Sequence, residues 1–180
     1  MQRWLLLLLL VFAVVFAGCA RPADDDPAKS KESVGLGPQK FQDEYTSFHT
    51  GSLPIGWERH WGYNADLAFH NPIHRTTIVV NSTCRQKDYI PLEALRNHLL
   101  FDLTDRRIVS QEEVIVDLRS ALHTVVQGRM DGALVKLDLF VVQIDTCIYD
   151  LVYISTLEQY ASCKDDFYRF VEGFHVRRKE

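Results

Sequence analysis

Read from its amino end, the chain changes its hydrophobic period several times. Residues 4–16 are an unbroken apolar run. Residues 20–40 carry charges, prolines and glycines with almost no bulky apolar side chain, so they cannot bury enough surface to offset their ordering entropy. They read as part of a flexible tether over residues 19–44. From residue 45 the pattern becomes that of strands. Residues 45–50 are a short extended candidate, and the glycines and proline of residues 51–56 predict a turn. Trp57, Trp61, Tyr63, Leu67 and Phe69 come in near alternation, which suits strands with one buried face. Asn71-Pro72 ends that run, and residues 76–80 are β-branched almost throughout and predict the next strand.

A helix is predicted to start at Pro91, whose missing N–H has no partner at a first helical position. Leu92, Leu95, Leu99 and Leu103 give it one apolar face. Residues 107–118 follow as a strand with Val114, Ile115 and Val116 as its apolar part. Asp131-Gly132 is the preferred pair for a two-residue type I′ turn, so a hairpin is expected in which Met130 faces Ala133. That register puts Gly128 with Val135, Val126 with Leu137, Thr124 with Leu139 and Leu122 with Val141 on an apolar face. Arg129 with Leu134, Gln127 with Lys136, Val125 with Asp138 and His123 with Phe140 make the other face mixed, as in a sheet covered on one side. A slip by one residue would bury Lys136 and Asp138. Residues 147–155 continue as an antiparallel strand. A last helix is expected to be capped by Ser162, with Phe167, Phe170, Val171 and Phe174 on one face and Gly173 at its stop. Together these elements make a single α+β domain over residues 45–176, followed by a charged tail at residues 177–180.

The start of the chain adds a location. Arg3, the apolar run and Ala17-Gly18-Cys19 follow the order of parts in a secretory signal peptide, and the run is short for a span that needs about 20 apolar residues. The cysteine sets it apart, because cleavage alone needs only small residues. The stretch resembles the bacterial lipoprotein signal, with residues 1–18 removed and Cys19 carrying lipid, palmitate included. Phe16 stands where that family usually has Leu. The bland alternative is a plain signal or anchor with an incidental cysteine. In Gram-negative lipoproteins an aspartate after the cysteine tends to retain the protein in the inner membrane; Ala20 stands there, so the resemblance implies an outer-membrane lipoprotein facing the periplasm if the source is Gram-negative.

Charge narrows the partners. The net charge of −4 becomes one more negative when Arg3 leaves with the signal, so nucleic acid is not an expected partner. With Cys19 consumed by lipid, Cys84, Cys147 and Cys163 remain in a compartment that permits oxidation. Cys84 and Cys147, each near a strand end, are the favoured disulfide, against buried free thiols acting as small apolar residues. No two cysteines are close enough in sequence for a zinc half-site.

A search for chemistry finds only fragments. His70 and His74 are four apart with His60 nearby, but Asn71-Pro72 predicts a turn between them and no Glu follows His70, so surface histidines are expected and no metal site. Gly51-Ser52 lacks the frame of a nucleophilic serine. Cys84, Cys147 or Cys163 with His98 or His123 shows no cysteine-nucleophile signature. Glu112-Glu113 would point to opposite faces of a strand, and Asp165-Asp166 would favour the dipole of a first helical turn. No phosphate-binding glycine run is present, and no cofactor is expected. Trp57, Trp61, Tyr63 and Phe69 could line a groove for a partner or lipid; core packing is the stronger reading.

The turn Leu53-Pro-Ile-Gly-Trp57, the middle helix after a strand, the Asp131-Gly132 hairpin, Tyr149-Asp-Leu-Val-Tyr153 and the closing run from Phe167 to Phe174 resemble the Mog1/PsbP/DcrB group. The resemblance implies a twisted antiparallel β-sheet with helices packed on its faces, and an accessory or binding role with no shared catalytic residues. The expectation is a non-enzymatic lipoprotein, held to the membrane through acyl chains on Cys19, that assists an envelope protein partner. The alternatives are a carrier for a lipid or other apolar ligand, and a small hydrolase or metal enzyme.

Overall fold

The computed structural model describes residues 35–61, 64–85 and 88–177. The expected signal, Cys19, the start of the tether, Tyr63 and the last residues of the tail lie outside these. The elements are β1 (Lys40–Gln42), β2 (Ser47–His49), β3 (Glu58–Arg59), β4 (Leu67–Asn71), β5 (Thr76–Thr83), α1 (Leu92–Leu99), β6 (Thr104–Val116), β7 (Arg119–Met130), β8 (Ala133–Ile144), β9 (Cys147–Ser155), α2 (Tyr160–Glu172) and β10 (His175–Val176). A seven-stranded antiparallel sheet runs β3-β4-β5-β9-β8-β7-β6, and a small sheet runs β1-β2-β10. This is the expected α+β architecture, a twisted antiparallel sheet with helices on its faces.

The β7–β8 hairpin has the register that Asp131-Gly132 predicts, from Met130 opposite Ala133 through Leu122 opposite Val141. Both turn residues have positive φ, 50° and 79°, which is why an Asp-Gly pair suits the site. The sheet's two faces are each covered, which differs from the one-sided expectation. Leu122, Val126, Leu137, Leu139 and Val141 pack beneath Leu92, Leu100 and Leu103 of α1 and the turn after it. The mixed face packs against α2, where Phe167 and Phe170 are fully buried among Phe69, Phe140 and Tyr153. The mixed face looked solvent-facing only because its polar groups satisfy one another under the helix. Phe48 of β2 and Val176 of β10 extend this second core.

Several boundaries move, each for a local reason. Residues 35–44 fall in the expected tether, yet Leu36 bridges Leu53 and Lys40–Gln42 pairs with β2. Phe41 accounts for this by packing on Phe48, with ring centroids 5.2 Å apart. Arg177, in the expected tail, donates its backbone N–H to Ser47. α2 starts at Tyr160, not at Ser162, with Gln159 donating its N–H to Thr156 Oγ1 in the preceding turn. Asp165 and Asp166 therefore sit inside the helix, where Asp166 accepts from Trp57 Nε1 at 2.9 Å and pairs with Arg169. Trp57 and Phe69 are core, whereas Trp61 is 82% exposed and stacks under the Arg59 guanidinium. β6 is a long edge strand, and its two register irregularities and its charges blunt that edge.

Two fastenings hold the periphery. Cys84 and Cys147 form a disulfide across 63 residues, stapling the end of β5 to the start of β9. Closing a loop of that size stabilises by on the order of 4 kcal/mol. Cys163 is free and buried. The second fastening is a backbone contact: Gly51 donates its N–H to Phe170 O at 2.9 Å. A Cβ on Gly51 would lie 2.2 Å from Arg169 O, and one on Gly173 would lie 2.4 Å from Gly51 Cα. These glycines let the turn after β2 lie directly on the carboxyl end of α2. Gly51→Ala should lower unfolding free energy by about 1–3 kcal/mol, as overpacking does, and Gly37→Ala, with open space around its Cβ, should not; urea titration of both variants checks this.

Candidate functional site

The densest polar chemistry in the described residues lies between α2 and strands β6, β7 and β8. Asp138, in the middle of β8, is fully buried. Its side chain faces α2 because Leu137 and Leu139 on either side are committed to the α1 core. One carboxylate oxygen accepts from His123 Nε2 at 2.7 Å, and the other accepts from Tyr160 OH at 2.6 Å and Tyr168 OH at 3.0 Å. The opposite nitrogen of His123, Nδ1, lies 3.2 Å from Glu112 Oε1 on β6. The imidazole is stacked on Phe140, with centroids 4.2 Å apart and planes within 7°. Tyr168 meets it edge-on at 5.9 Å. Lys136 Nζ sits over the Tyr160 ring at 3.7 Å, next to the cluster.

Burial alone would lower the His123 pKa, but the hydrogen bonds and charges of Asp138 and Glu112 outweigh it, and the pKa is raised above the ordinary 6.5. Burial and the bond to the Asp138 carboxylate push the Tyr160 hydroxyl far up, so it stays a donor. Burial likewise raises Tyr168. In its protonated form His123 donates from both nitrogens to two carboxylates.

Beside this cluster is an open groove of about 370 Å³. Val114, Val116, Phe140 and Val171 give it apolar walls, Tyr168 and His123 stand on one side, and Glu112 and Glu172 bring carboxylates from β6 and α2. Asp117, also on the lining, is tied to β10: it accepts from His175 Nδ1 and from the Val176 N–H. The groove is therefore apolar within and acidic at its rim.

The other sequence candidates do not assemble. His70 Nδ1 contacts Thr77 Oγ1 at 3.2 Å, and His74 Nδ1 contacts Gln159 Oε1 at 3.2 Å. Among the described residues no group of three or more His, Cys, Asp or Glu could hold a metal ion. Cys163 touches Asn71 Nδ2 at 3.8 Å, and burial raises its pKa, so the thiol is not activated. Glu112 and Glu113 do face opposite ways: Glu112 reaches His123, while Glu113 accepts from Ser120 Oγ at 3.3 Å. In the sequence His123 stands out chemically only as a partner for a cysteine, and Asp138, Tyr160 and Tyr168 carry no binding or catalytic signal of their own. The available signal was the hairpin register, which places a histidine and an aspartate on the same face of neighbouring strands beneath an aromatic helix.

A raised histidine pKa contributes stability that is complete below the unfolded value of about 6.5 and fades as pH rises through the folded value. His123→Gln should thus cost about 3 kcal/mol below pH 6.5, in the range for breaking a buried pair, and less as pH rises to 9. Urea unfolding across that pH range measures it, and a pH-independent difference would contradict the assignment.

No family model and no curated protein matches the chain. Solved structures do. LpqN, involved in cell envelope biogenesis of Mycobacterium tuberculosis, is similar with a TM-score of 0.63 at 15% identity, covering 78% of this chain and 90% of that one. The cyanobacterial PsbP, CyanoP, of Synechocystis sp. PCC 6803 has a TM-score of 0.55 at 15% identity, covering 84% and 99%. At such identities the likeness is one of fold, and this chain has the Mog1/PsbP-like fold.

Proposed function

We propose that the chain is a lipid-anchored lipoprotein of the cell envelope whose domain is a non-enzymatic accessory module, binding an envelope protein through the groove beneath α2. The observation that carries the reading is the double engagement of His123. With Asp138 on one nitrogen and Glu112 on the other, the imidazole offers no free lone pair to a substrate proton. A groove with apolar walls and an acidic rim is suited to holding a partner's apolar or basic side chain.

The anchor rests on the sequence: Arg3, the apolar run of residues 4–16 and Cys19 support removal of residues 1–18 and acylation of Cys19, with Ala20 favouring the outer membrane. LpqN's described part in envelope biogenesis agrees with an envelope role for a domain of this fold. The second reading, a carrier of an apolar ligand, draws on the same apolar walls. The volume, about 370 Å³, lies at the small end of ligand pockets, which span roughly 300–1,000 Å³. It suits a side chain or a small apolar group better than a diacyl lipid.

Two measurements test the proposal. Mass analysis of the mature full-length protein should give a chain starting at Cys19 with acyl chains attached, and Cys19→Ala should release a domain whose thermal midpoint is unchanged within about 2 °C, since Cys19 precedes in sequence the domain expected over residues 45–176. A photo-crosslinker in place of the exposed Ile115 should capture one discrete envelope protein in intact cells, weakened several-fold by Glu112→Gln with Glu172→Gln. Failure to capture any protein would count against the docking role, and an unmodified Cys19 would remove the anchor.

A further inference from the structure

The α1 face of the sheet carries a group that neither the groove nor the anchor uses. Asp150 lies within β9, opposite Asn81 of β5 and Val141 of β8. Its Oδ1 is buried and has no hydrogen-bond partner among the described residues. Buried carboxylate oxygens are nearly always partnered, because removing one from water without compensation is costly. Asp138, on the neighbouring strand, shows the usual solution with its three donors.

Asp150 does not abut closed packing. It lines a cavity of about 260 Å³ beside α1, together with Ile90, Leu95, Leu99, Ile148, His98 and Thr83. Thr83 and His98 are exposed and mark the open side, while the four aliphatic residues form the walls. The buried cation of α1 is directed to β6, where Arg96 Nη1 donates to Gln111 Oε1 at 2.8 Å, while its Nε is unpartnered among the described residues. α1 is only eight residues long and packs over β7 and β8, which leaves this part of the sheet face roofed by an apolar edge and open to solvent. Burial raises the Asp150 carboxyl to about 7, so a cation brought into the cavity would meet a group that gains by ionising.

We infer that this cavity is a binding site for an alkylammonium group, with its cation against Asp150 and its hydrocarbon stem against Ile90, Leu95, Leu99 and Ile148. One carboxylate with aliphatic walls offers far too few oxygens for calcium, which takes about 6–8. It is the wrong charge for an anion. An ammonium supplies the missing donor as a charge-assisted hydrogen bond, and its stem covers apolar wall. The volume, just under the usual ligand range of about 300–1,000 Å³, limits the occupant to a small amine. The site is independent of the docking groove, which lies under the other helix.

The probe is n-butylammonium chloride titrated into the full-length protein at pH 8, followed by amide shifts in nuclear magnetic resonance, with 1-butanol as the uncharged control. Saturable shifts are expected at Ile90, Leu95, Leu99 and Ile148. Affinity should fall at least tenfold in Asp150→Asn, and about tenfold for wild type at pH 5.5, where the carboxyl is protonated. Leu95→Trp keeps the acid and fills the cavity, and should abolish binding. Three results would overturn the inference: no saturable shift, Asp150→Asn or Leu95→Trp binding as tightly as wild type, or 1-butanol binding as tightly as the amine. The last would make the site an apolar cavity only.

Discussion

A fully buried carboxylate in a sheet must be satisfied by its neighbours, and Asp138 meets that constraint with donors from two different elements. His123 comes from the adjoining strand, and Tyr160 and Tyr168 come from α2. The buried contacts of Cys163, Phe167, Phe170 and Val171 supply the apolar burial that holds α2 on the sheet, but they are non-directional. The hydroxyl bonds to Asp138 set where along the sheet the helix rests. With the helix so placed over β5 and β9, the outer strands β6 and β7 are left partly uncovered, and the acidic-rimmed groove occupies that space.

The two faces of the sheet solve different problems. Beneath α1 the hairpin side chains are aliphatic and need only volume, so a short helix and a turn suffice at Leu92, Leu100 and Leu103. Beneath α2 they are mixed and require partners at defined distances. The periphery follows from the same division: the β1-β2-β10 sheet extends the aromatic core, and the close approach of Gly51 and Gly173 ties it to the end of α2. Where the short α1 stops covering the sheet, Asp150 Oδ1 is left without a partner among the described residues.

Much of the fold was legible in the sequence where one local signal set a whole register. Asp131-Gly132 fixed all nine cross-strand pairs read from it because strand period leaves no freedom once the turn is known. Pro91 likewise placed the start of α1 within a residue, but the leucine spacing overran its end: α1 stops at Leu99, and Leu103 packs from the turn beyond it. The site was not legible, because its members come from β6, β7, β8 and α2 and meet only after long-range pairing. Tyr160 gave no sign of its role while Ser162 looked like the cap. The mixed hairpin face looked like a solvent face because burial of polar residues depends on partners that period cannot show. Residues 36–42 joined the domain through Leu36 and Phe41, two apolar residues at the end of an otherwise polar stretch.

His123 is held at both ring nitrogens by carboxylates, Asp138 and Glu112, and they raise its pKa above 6.5. Nitrogen-15 resonance of the imidazole in the full-length protein tests it directly. The expected result is protons on both ring nitrogens at and below pH 6.5 and a titration midpoint above 6.5 that moves down in Glu112→Gln. A neutral ring with an unprotonated nitrogen, titrating at or below 6.5 and unaffected by Glu112→Gln, would contradict it and reopen the groove as a place for acid–base chemistry.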